Sequence, residues 1–361
     1  MKNGLLVDRG PNRLKNIGDY IQSLAQEQYY DKIDCYVQRE SLNTFQSDEP
    51  VKVIMNSWFM HEPTHWPPSD NLVPLFVSFH INPGAADTML SPEGIEYLRK
   101  HEPIGTRDES TREILEKHGI KAYFTGCLTL TLGRKYRSAE HGDKVYFVDP
   151  YFERFRGKSK IAKLWNLLID CCAMPKYRKP IAKLLPKFEN CICPSRIERV
   201  SKRFAHKLDT YVFYRTYSTL FSDETLFNAE YVTHMIDKEV YDTEEKRMDL
   251  ARELVKAYAQ ARLVVTSRIH CGLPCLGLET PVIFVNSNSL ENDVNYNGRF
   301  QGLMDLFHQM TCVNRRLDTN STIVASFLND GNIVPSKLEN LTTWKVLADA
   351  LIKTCTHFTN D

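Results

Sequence analysis

The chain lacks both a long apolar run and an excess of charge of either sign. No stretch approaches the roughly 18 consecutive apolar residues that a membrane-spanning helix requires, and the opening segment has no apolar core typical of a secretory signal peptide. The 361 residues include 46 Lys and Arg against 45 Asp and Glu, a formal net charge of +1, which argues against a dedicated nucleic-acid-binding protein. We therefore expect a globular protein of the cytoplasm.

Motifs of several common enzyme classes are also missing. The chain contains no GxxxxGKS/T phosphate-binding loop, no GxGxxG dinucleotide fingerprint and no GxSxG nucleophile elbow. These absences disfavour an NTPase, a dinucleotide-dependent dehydrogenase and a hydrolase.

Cysteine spacing gives no framework for disulfides or metal. The ten cysteines lack the rhythm of a small disulfide-bonded domain, so we expect reduced thiols. The close pairs Cys171-Cys172 and Cys191-Ile192-Cys193 do not have the CxxC spacing usual in zinc sites.

A formal HExxH match occurs at residues 61–65. This zinc protease motif requires a helix, because only a helix places both histidines on one side of the metal. Pro63 lies inside the match, and Pro67 and Pro68 follow closely, so a helix is excluded. We predict no metal site and no tightly bound cofactor.

The chain does contain short apolar strands that alternate with amphipathic helices. This alternation predicts an α/β fold with doubly wound, mostly parallel sheets. The length predicts two domains, which we place at residues 1–140 and 141–335, followed by a C-terminal helix within 336–361. The predicted strands are 5–7, 33–37, 51–55, 73–79, 122–124, 144–150, 229–234, 263–265 and 282–285, and the predicted helices include 18–30, 108–118, one that starts at 242, and 271–278.

Charge is concentrated in one segment of the second domain. Residues 154–187 contain ten Lys and Arg but a single acid, Asp170, and this net charge of +9 leaves −8 for the remainder of the chain. Apolar residues are interspersed, so the insertion at 151–228 has a basic amphipathic part. Two interpretations are open: a solvated basic helix face, or a peripheral contact with an anionic membrane.

Two arginines occupy strand-to-helix junctions, where open α/β sheets bind ligands. Arg268-Ile269-His270 combines a forked cationic donor, the amides of a helix N-terminus and a group that can carry a proton near neutral pH. Arg107 could bind a second anionic group across a cleft. The alternatives are local: a salt bridge at Arg268, a helix cap at His270, and an ion pair between Arg107 and Asp108.

A second set of residues suits a saccharide. Aromatic faces offer apolar contact to a sugar ring, while amide, carboxylate and imidazole groups offer hydrogen bonds. Each residue could equally be a helix cap or an ordinary surface side chain. The candidates are Asn16, Gly18, Asp19, Trp58, His61 and His80.

Several short motifs, taken in order, resemble the polysaccharide pyruvyl transferase family. They are NIGD at 16–19, GTRDES at 105–110, GCLTL at 126–130, VVTSRIH at 264–270 and TPVI at 280–283. The resemblance implies two Rossmann-like domains that face a cleft in a glycosyltransferase-B-like arrangement. It also implies phosphoenolpyruvate as donor and a pair of glycan hydroxyls as acceptor, as in exopolysaccharide biosynthesis. Residues 152–227 match no part of the family known to us.

The resemblance associates the Arg-x-His loop with the donor. It implies that Arg268, the backbone of Ile269, His270 and, less directly, Arg107 bind phosphoenolpyruvate, and we hypothesise that protonated His270 donates its proton to the methylene carbon. Two other classes stay open: a nucleotide-sugar glycosyltransferase on the same fold, and a non-catalytic glycan-binding protein. The acceptor would be a saccharide or a lipid-linked saccharide, and the latter would place the basic segment at the inner membrane face.

Overall fold

A computed structural model describes residues 1–8, 14–155, 159–188, 201–287, 298–320, 322–323 and 325–360. Cys191 and Cys193, considered above as a metal pair, lie outside these ranges. The strands are β1 (Lys2–Val7), β2 (Leu14–Asn16), β3 (Cys35–Gln38), β4 (Val51–Ile54), β5 (Trp58–Phe59), β6 (Leu72–Leu75), β7 (His80–Ile81), β8 (Ile104–Thr106), β9 (Ala122–Phe124), β10 (Val145–Val148), β11 (Glu230–Val232), β12 (Met235–Asp237), β13 (Leu263–Thr266), β14 (Val282–Ser287), β15 (His308–Val313), β16 (Arg316–Thr319), β17 (Leu328–Asn329) and β18 (Asn332–Ile333).

The helices lie between these strands and at the end of the chain. They are α1 (Ile17–Glu27), α2 (Ala86–Met89), α3 (Pro92–Lys100), α4 (Glu109–Lys117), α5 (Gly133–Tyr136), α6 (Lys160–Ala173), α7 (Arg178–Phe188), α8 (Lys202–Tyr217), α9 (Asp223–Asn228), α10 (Glu244–Ala259), α11 (Ile269–Gly277) and α12 (Trp344–Asn360). None of the helices in the described ranges combines the length and the apolarity that crossing a membrane requires.

The first half of the chain forms a parallel sheet with the strand order β3-β1-β4-β6. All four residues of β4 are buried, including Lys52, as is typical of a strand inside a parallel sheet. Two further parallel pairs, β5-β7 and β8-β9, lie beside it, and Phe79 N donates to Gly105 O at 3.0 Å to connect them. Residues at the carboxyl ends of β7 and β8 are therefore neighbours.

The second half contains a six-stranded sheet in the order β11-β10-β13-β14-β15-β16. Five strands are parallel, and only the edge strand β16 runs antiparallel to its neighbour. The predicted mixed α/β fold with parallel sheets is thus confirmed. The predicted unit around residue 268 is present as β13, α11 and β14.

Several contacts join the two halves. Strand β2 pairs antiparallel with β12, and Ile17 N donates to His234 O at 2.8 Å. Helix α1 packs on α10 and α11, so that Ile21 and Met248 share one apolar core. Helix α12 returns to the first sheet, where Lys52 Nζ donates to the carbonyl oxygen of Phe358 at 3.0 Å.

Some predicted boundaries were wrong. The strand predicted to run to residue 79 ends at Leu75, and Ser78 then adopts a left-handed conformation with φ 55°. The helix predicted to be capped by Asp242 is capped by Thr243, whose Oγ1 accepts from Lys246 N at 3.2 Å. Asp242 instead pairs with the Lys246 ammonium at 2.7 Å. The neighbouring threonine is itself a good N-cap residue, so the local pattern suited either position.

Candidate functional site

Two residues, Ser267 and Arg268, join β13 to α11, and Ile269 and His270 are the first residues of that helix. Thr266 Oγ1 accepts from Arg268 N at 2.9 Å, which fixes the turn and makes Arg268 the N-cap residue. The amides of Ile269 and His270, in the first turn of the helix, have no acceptor within it. The partial positive charge of this helix end therefore lies directly after Arg268.

Arg268 forms an ion pair in this structure. Its Nε donates to Asp149 Oδ2 at 2.8 Å, and the same oxygen accepts from His234 N at 2.9 Å. Within the described ranges the two terminal guanidinium nitrogens of Arg268 make no hydrogen bond, and the side chain stays partly exposed. The local salt bridge and an anion-binding role are thus compatible, because they use different nitrogens.

His270 is buried beside the start of α1. Its backbone departs from helical geometry, with φ −84° and ψ 18°. A Cβ atom added to Gly18 would lie only 2.9 Å from Cβ of His270, so this close approach requires glycine at position 18. Burial, followed by the positive charges of Arg107 and Arg299, holds the pKa of His270 well below its usual value. His270 is therefore neutral near pH 7 in the unliganded site.

Arg107 follows β8 and is fully buried. Its Nε lies 3.5 Å from Asp108 Oδ2, but none of its three side-chain nitrogens makes a hydrogen bond to any part of the chain that the structure describes. A buried guanidinium without hydrogen bonds costs free energy, since it has lost water without replacing it. The arrangement therefore favours a ligand that brings negative charge and acceptor oxygens to Arg107.

His80, Asp108 and Thr111 form a hydrogen-bonded chain next to Arg107. His80 Nδ1 lies 2.6 Å from Asp108 Oδ2, and Asp108 Oδ1 accepts from the amide and hydroxyl of Thr111, each at 2.9 Å. Burial, followed by the charge of Arg107, lowers the pKa of His80 to about 4. Burial alone would raise the pKa of Asp108, but His80 and Arg107 lower it.

These shifts fix the tautomer of His80. Near pH 7 Asp108 is ionised and His80 is neutral, so His80 Nδ1–H donates to the carboxylate and Nε2 carries the lone pair. Nε2 is buried and has no hydrogen-bond partner among the described residues. His80 is thereby arranged to accept a proton or a hydrogen bond at Nε2.

The remaining saccharide candidates lie around Arg39, a buried residue that the sequence analysis did not select. Asp19 Oδ1 is 3.6 Å from Arg39 NH1, and the Arg39 guanidinium stacks 5.5 Å from the centroid of Trp58. Trp58 and His61 have ring centroids 4.5 Å apart. Asn16 caps α1 by accepting from Gly18 N at 3.1 Å. Burial, together with Asp8, raises the pKa of Asp19 despite Arg39.

Electrostatic interactions connect the two groups of residues. Arg107 and His80 both lower the pKa of His270, and Arg299 acts on His270, His80 and Asp19. Arg299 was not selected from the sequence, because it follows no predicted strand. The structure thus places Gly18 against His270, with Arg268 at the same helix end. Arg107 lies beside the strand that carries His80, and Trp58 is the partner of His80 in the pairing of β5 with β7.

His234, also missed, supports the back of the loop. It is fully buried, and its Nε2 lies 2.9 Å from the Tyr258 hydroxyl. Burial opposes ionisation of the Cys271 thiol, but hydrogen bonds from Cys275, His234 and Thr266 lower its pKa to about 6. A histidine in a predicted strand carries no local signal that distinguishes it from a core residue.

The sequence comparisons identify the family. A family model described as polysaccharide pyruvyl transferase matches residues 77–289, which is more than half of the chain and includes Arg107, Arg268 and His270. A search of curated proteins found no match. With the motifs at 105–110 and 264–270 both inside the matched range, the chain belongs to the polysaccharide pyruvyl transferase family, whose members are transferases of polysaccharide biosynthesis that act on saccharide acceptors.

Proposed function

We propose that this protein transfers a pyruvyl group from phosphoenolpyruvate to two hydroxyls of a sugar in a polysaccharide or its precursor, forming a pyruvate ketal. The observation that carries the proposal is the buried guanidinium of Arg107, which has no hydrogen bond to the described chain and lies within electrostatic reach of His270. A small dianionic or trianionic donor would supply the missing acceptors. Phosphoenolpyruvate fits, because its carboxylate and phosphate are both recognised by arginine forks and helix amides.

The two anionic groups of phosphoenolpyruvate bind at different strand-to-helix junctions. Arg107 binds one anionic group in the buried part of the site. Arg268 and the amide of Ile269 bind the other at the N-terminus of α11, where the helix end contributes further positive potential. The fixed positions of these two arginines and of the Ile269 amide orient the enol carbon toward His270.

The earlier hypothesis of a protonated His270 requires the donor to be bound. The lowered pKa makes the unliganded imidazole neutral. Negative charge on phosphoenolpyruvate offsets the positive charges of Arg107 and Arg299 and raises the pKa of His270, so the imidazolium forms in the complex. His270 then gives its proton to the methylene carbon, which becomes the methyl group.

Formation of the ketal completes the reaction. One acceptor hydroxyl attacks C2 as the methylene carbon is protonated, and inorganic phosphate then leaves with the oxygen of the former enol ester. The second hydroxyl closes the ring at C2, and its proton passes to the departing phosphate. His80 Nε2, oriented by Asp108, accepts the proton of the attacking hydroxyl. The sugar approaches from the side that carries the saccharide candidates Asn16, Gly18, Asp19, Trp58 and His61.

The test is release of inorganic phosphate from phosphoenolpyruvate against a panel of glycans and lipid-linked saccharides. We expect phosphate release that depends on the acceptor, and a product that retains isotope from labelled phosphoenolpyruvate. Product labelled only from a sugar nucleotide would instead identify a glycosyltransferase. Saccharide binding without phosphate release in any combination would identify a glycan-binding protein.

The architecture and location form part of the same proposal. The two parallel sheets would be two Rossmann-like domains, 1–140 on the acceptor side and 141–335 on the donor side, around a glycosyltransferase-B-like cleft. Support comes from the site itself, to which both halves contribute. The eight described cysteines are free thiols, which suits the cytoplasm, where a lipid-linked acceptor would present its sugar at the inner membrane face. Small-angle scattering with and without phosphoenolpyruvate would detect closure of the cleft.

A further inference from the structure

Helix α6 exposes an apolar face to solvent. Ile161 is 83% exposed, Trp165 is 66% exposed, and Leu164 and Leu168 are more than half exposed. Spacings of three, four and seven residues place these side chains on one side of the helix. We call this set, together with Ile169, the α6 face. Contiguous exposed apolar patches of this kind mark contact sites with proteins or membranes.

The opposite side of α6 is fixed to the protein by a buried ion pair. Asp170 is the only acid in the basic segment, and its Oδ1 accepts from Arg315 NH1 at 2.7 Å. Arg315 also donates from Nε to Glu153 O at 2.9 Å. The side of α6 that carries Asp170 therefore faces the rest of the protein, and the α6 face on the opposite side points to solvent.

Exposed cations lie on α6 and on the segment that follows it. No salt bridge between described residues involves any of them, and each side chain is exposed in the structure. They are Lys160, Lys163, Lys176, Arg178 and Lys179. Lys160 is one turn before Leu164, and Lys176 lines the cavity beside Trp165, whereas Lys163 lies on the side of Asp170. Two further described cations of the segment are engaged with the chain: Lys187 donates to Ala229 O at 2.8 Å, and Lys183 lies over the ring of Phe227.

A groove extends this surface to a distant part of the chain. A cavity of about 420 Å³ beside Trp165 and a second cavity of about 530 Å³ share Ile169 and Ala173 as lining residues. The second cavity is also lined by Arg215 and Arg316, two exposed arginines that lie outside the basic segment. Positive charge therefore borders the apolar residues on more than one side.

We propose that the α6 face binds an anionic membrane surface, with α6 lying in the plane of the interface and Trp165 at the level of the headgroups. Tryptophan favours this level because its ring is apolar and its N–H is polar. Lys and Arg around the patch attract anionic lipid. A second copy is disfavoured, because a two-fold interface would place the same cations opposite each other. The inference goes beyond pyruvyl transfer and does not rest on it.

Vesicle cosedimentation of the full chain tests the proposal. We expect binding to mixed phosphatidylcholine and phosphatidylglycerol vesicles, little binding to pure phosphatidylcholine, and loss of binding at high salt. The double variant Trp165→Ser with Leu168→Ser should weaken binding roughly tenfold or more, because two large apolar side chains no longer enter the interface. Lys160→Gln with Lys176→Gln should weaken binding to anionic vesicles by a smaller factor, because both cations border the α6 face.

The matched control is Val346→Ser on α12, where an equally exposed apolar residue lies outside the α6 face. This variant should bind vesicles as the unmodified chain does. Wild-type fluorescence should shift to the blue on anionic vesicles, and Trp165→Phe should remove the shift. Equal binding to neutral and anionic vesicles, or binding unaffected by the Trp165 and Leu168 substitutions, would overturn the proposal. So would a dimer in solution that these substitutions dissociate in the absence of vesicle binding.

Discussion

Arg107 and Arg268 both follow a parallel strand and precede a helix, yet their side chains differ in burial and in hydrogen bonding. Arg107 is fully buried without a hydrogen bond to the described chain, whereas Arg268 is 32% exposed at its side chain and paired with Asp149. The desolvation of Arg107 is complete before any ligand arrives, so an anion gains the full strength of the contact. An anion at Arg268 must share the guanidinium with a carboxylate. The buried junction should therefore contribute more to donor binding.

The largest effect is expected at His270, which follows Arg268 in the first turn of α11. His270→Gln should lower kcat by roughly 10² to 10⁴, because the proton for the methylene carbon is no longer supplied. Affinity for phosphoenolpyruvate, measured by calorimetric titration, should change little. His118→Gln, at the exposed end of α4, is the control and should leave kcat unchanged. Near-normal pyruvylation by His270→Gln would refute the assignment.

Substitution of Arg107 should separate activity from stability. Arg107→Met should lower kcat/KM for phosphoenolpyruvate about 10²- to 10³-fold, as expected for loss of a buried charged contact. The free energy of unfolding without ligand, measured by urea denaturation, should change by no more than about 1 kcal/mol, because loss of the contact with Asp108 is offset by removal of a buried guanidinium without hydrogen bonds. Excess phosphoenolpyruvate should raise the melting temperature of the wild type only.

Arg112→Met, on the exposed side of α4, serves as the control for that experiment, because Arg112 pairs with Glu109 and Glu116 at the surface. It should affect neither kcat/KM nor stability measurably. If Arg107→Met instead loses several kcal/mol of stability and keeps its donor affinity, Arg107 is a structural partner of Asp108 and the comparison of the two arginines fails.

A smaller effect is expected at the exposed junction. Arg268→Met should raise KM for phosphoenolpyruvate about ten- to a hundredfold with little change in kcat, because Arg268 binds the donor from a partly solvated position. Steady-state phosphate release measures both constants. Arg262→Met, which removes a surface arginine near the start of β13, is the matched control. A larger loss at Arg268 than at Arg107 would reverse the ranking of the two junctions.

The smallest effect concerns the pH dependence of stability. His80 has a pKa of about 4 in the folded protein and about 6.5 when unfolded, so the unfolded chain binds the extra proton first as the pH falls. Stability is then lost between about pH 6.5 and pH 4, at up to about 1.4 kcal/mol per pH unit. His80→Gln should flatten this slope in urea denaturation series. An unchanged slope would show that His80 is not held neutral by burial.

The sequence was sufficient to predict local secondary structure, but not to predict which polar side chains are buried or what they contact. Val264 to Thr266, followed by a polar loop and then an apolar helix, predicts the β-loop-α-β unit because each step depends on neighbours along the chain. Whether the Arg107 side chain finds hydrogen-bond partners depends instead on which residues the neighbouring strands bring next to it. The link between His80 and Asp108 spans 28 residues and has no local signature.

The basic segment illustrates the same limit. Its amphipathic pattern is visible in the sequence, and α6 and α7 are both helical. The direction of its apolar face depends on the ion pair between Asp170 and Arg315, two residues separated by 145 positions. The contribution of Arg215 and Arg316 to the surface likewise arises only when distant segments fold together.

The packing of α1 against α10 also has a consequence for the order of events during synthesis. Ile21 and Leu24 of α1 find their apolar partners on a helix that ends only at Ala259. At typical ribosomal rates of about 5 to 20 residues per second, the apolar side of α1 stays uncovered for roughly 10 to 50 seconds before α10 has been synthesised. We therefore expect the nascent first half to be a chaperone client until α10 has been synthesised.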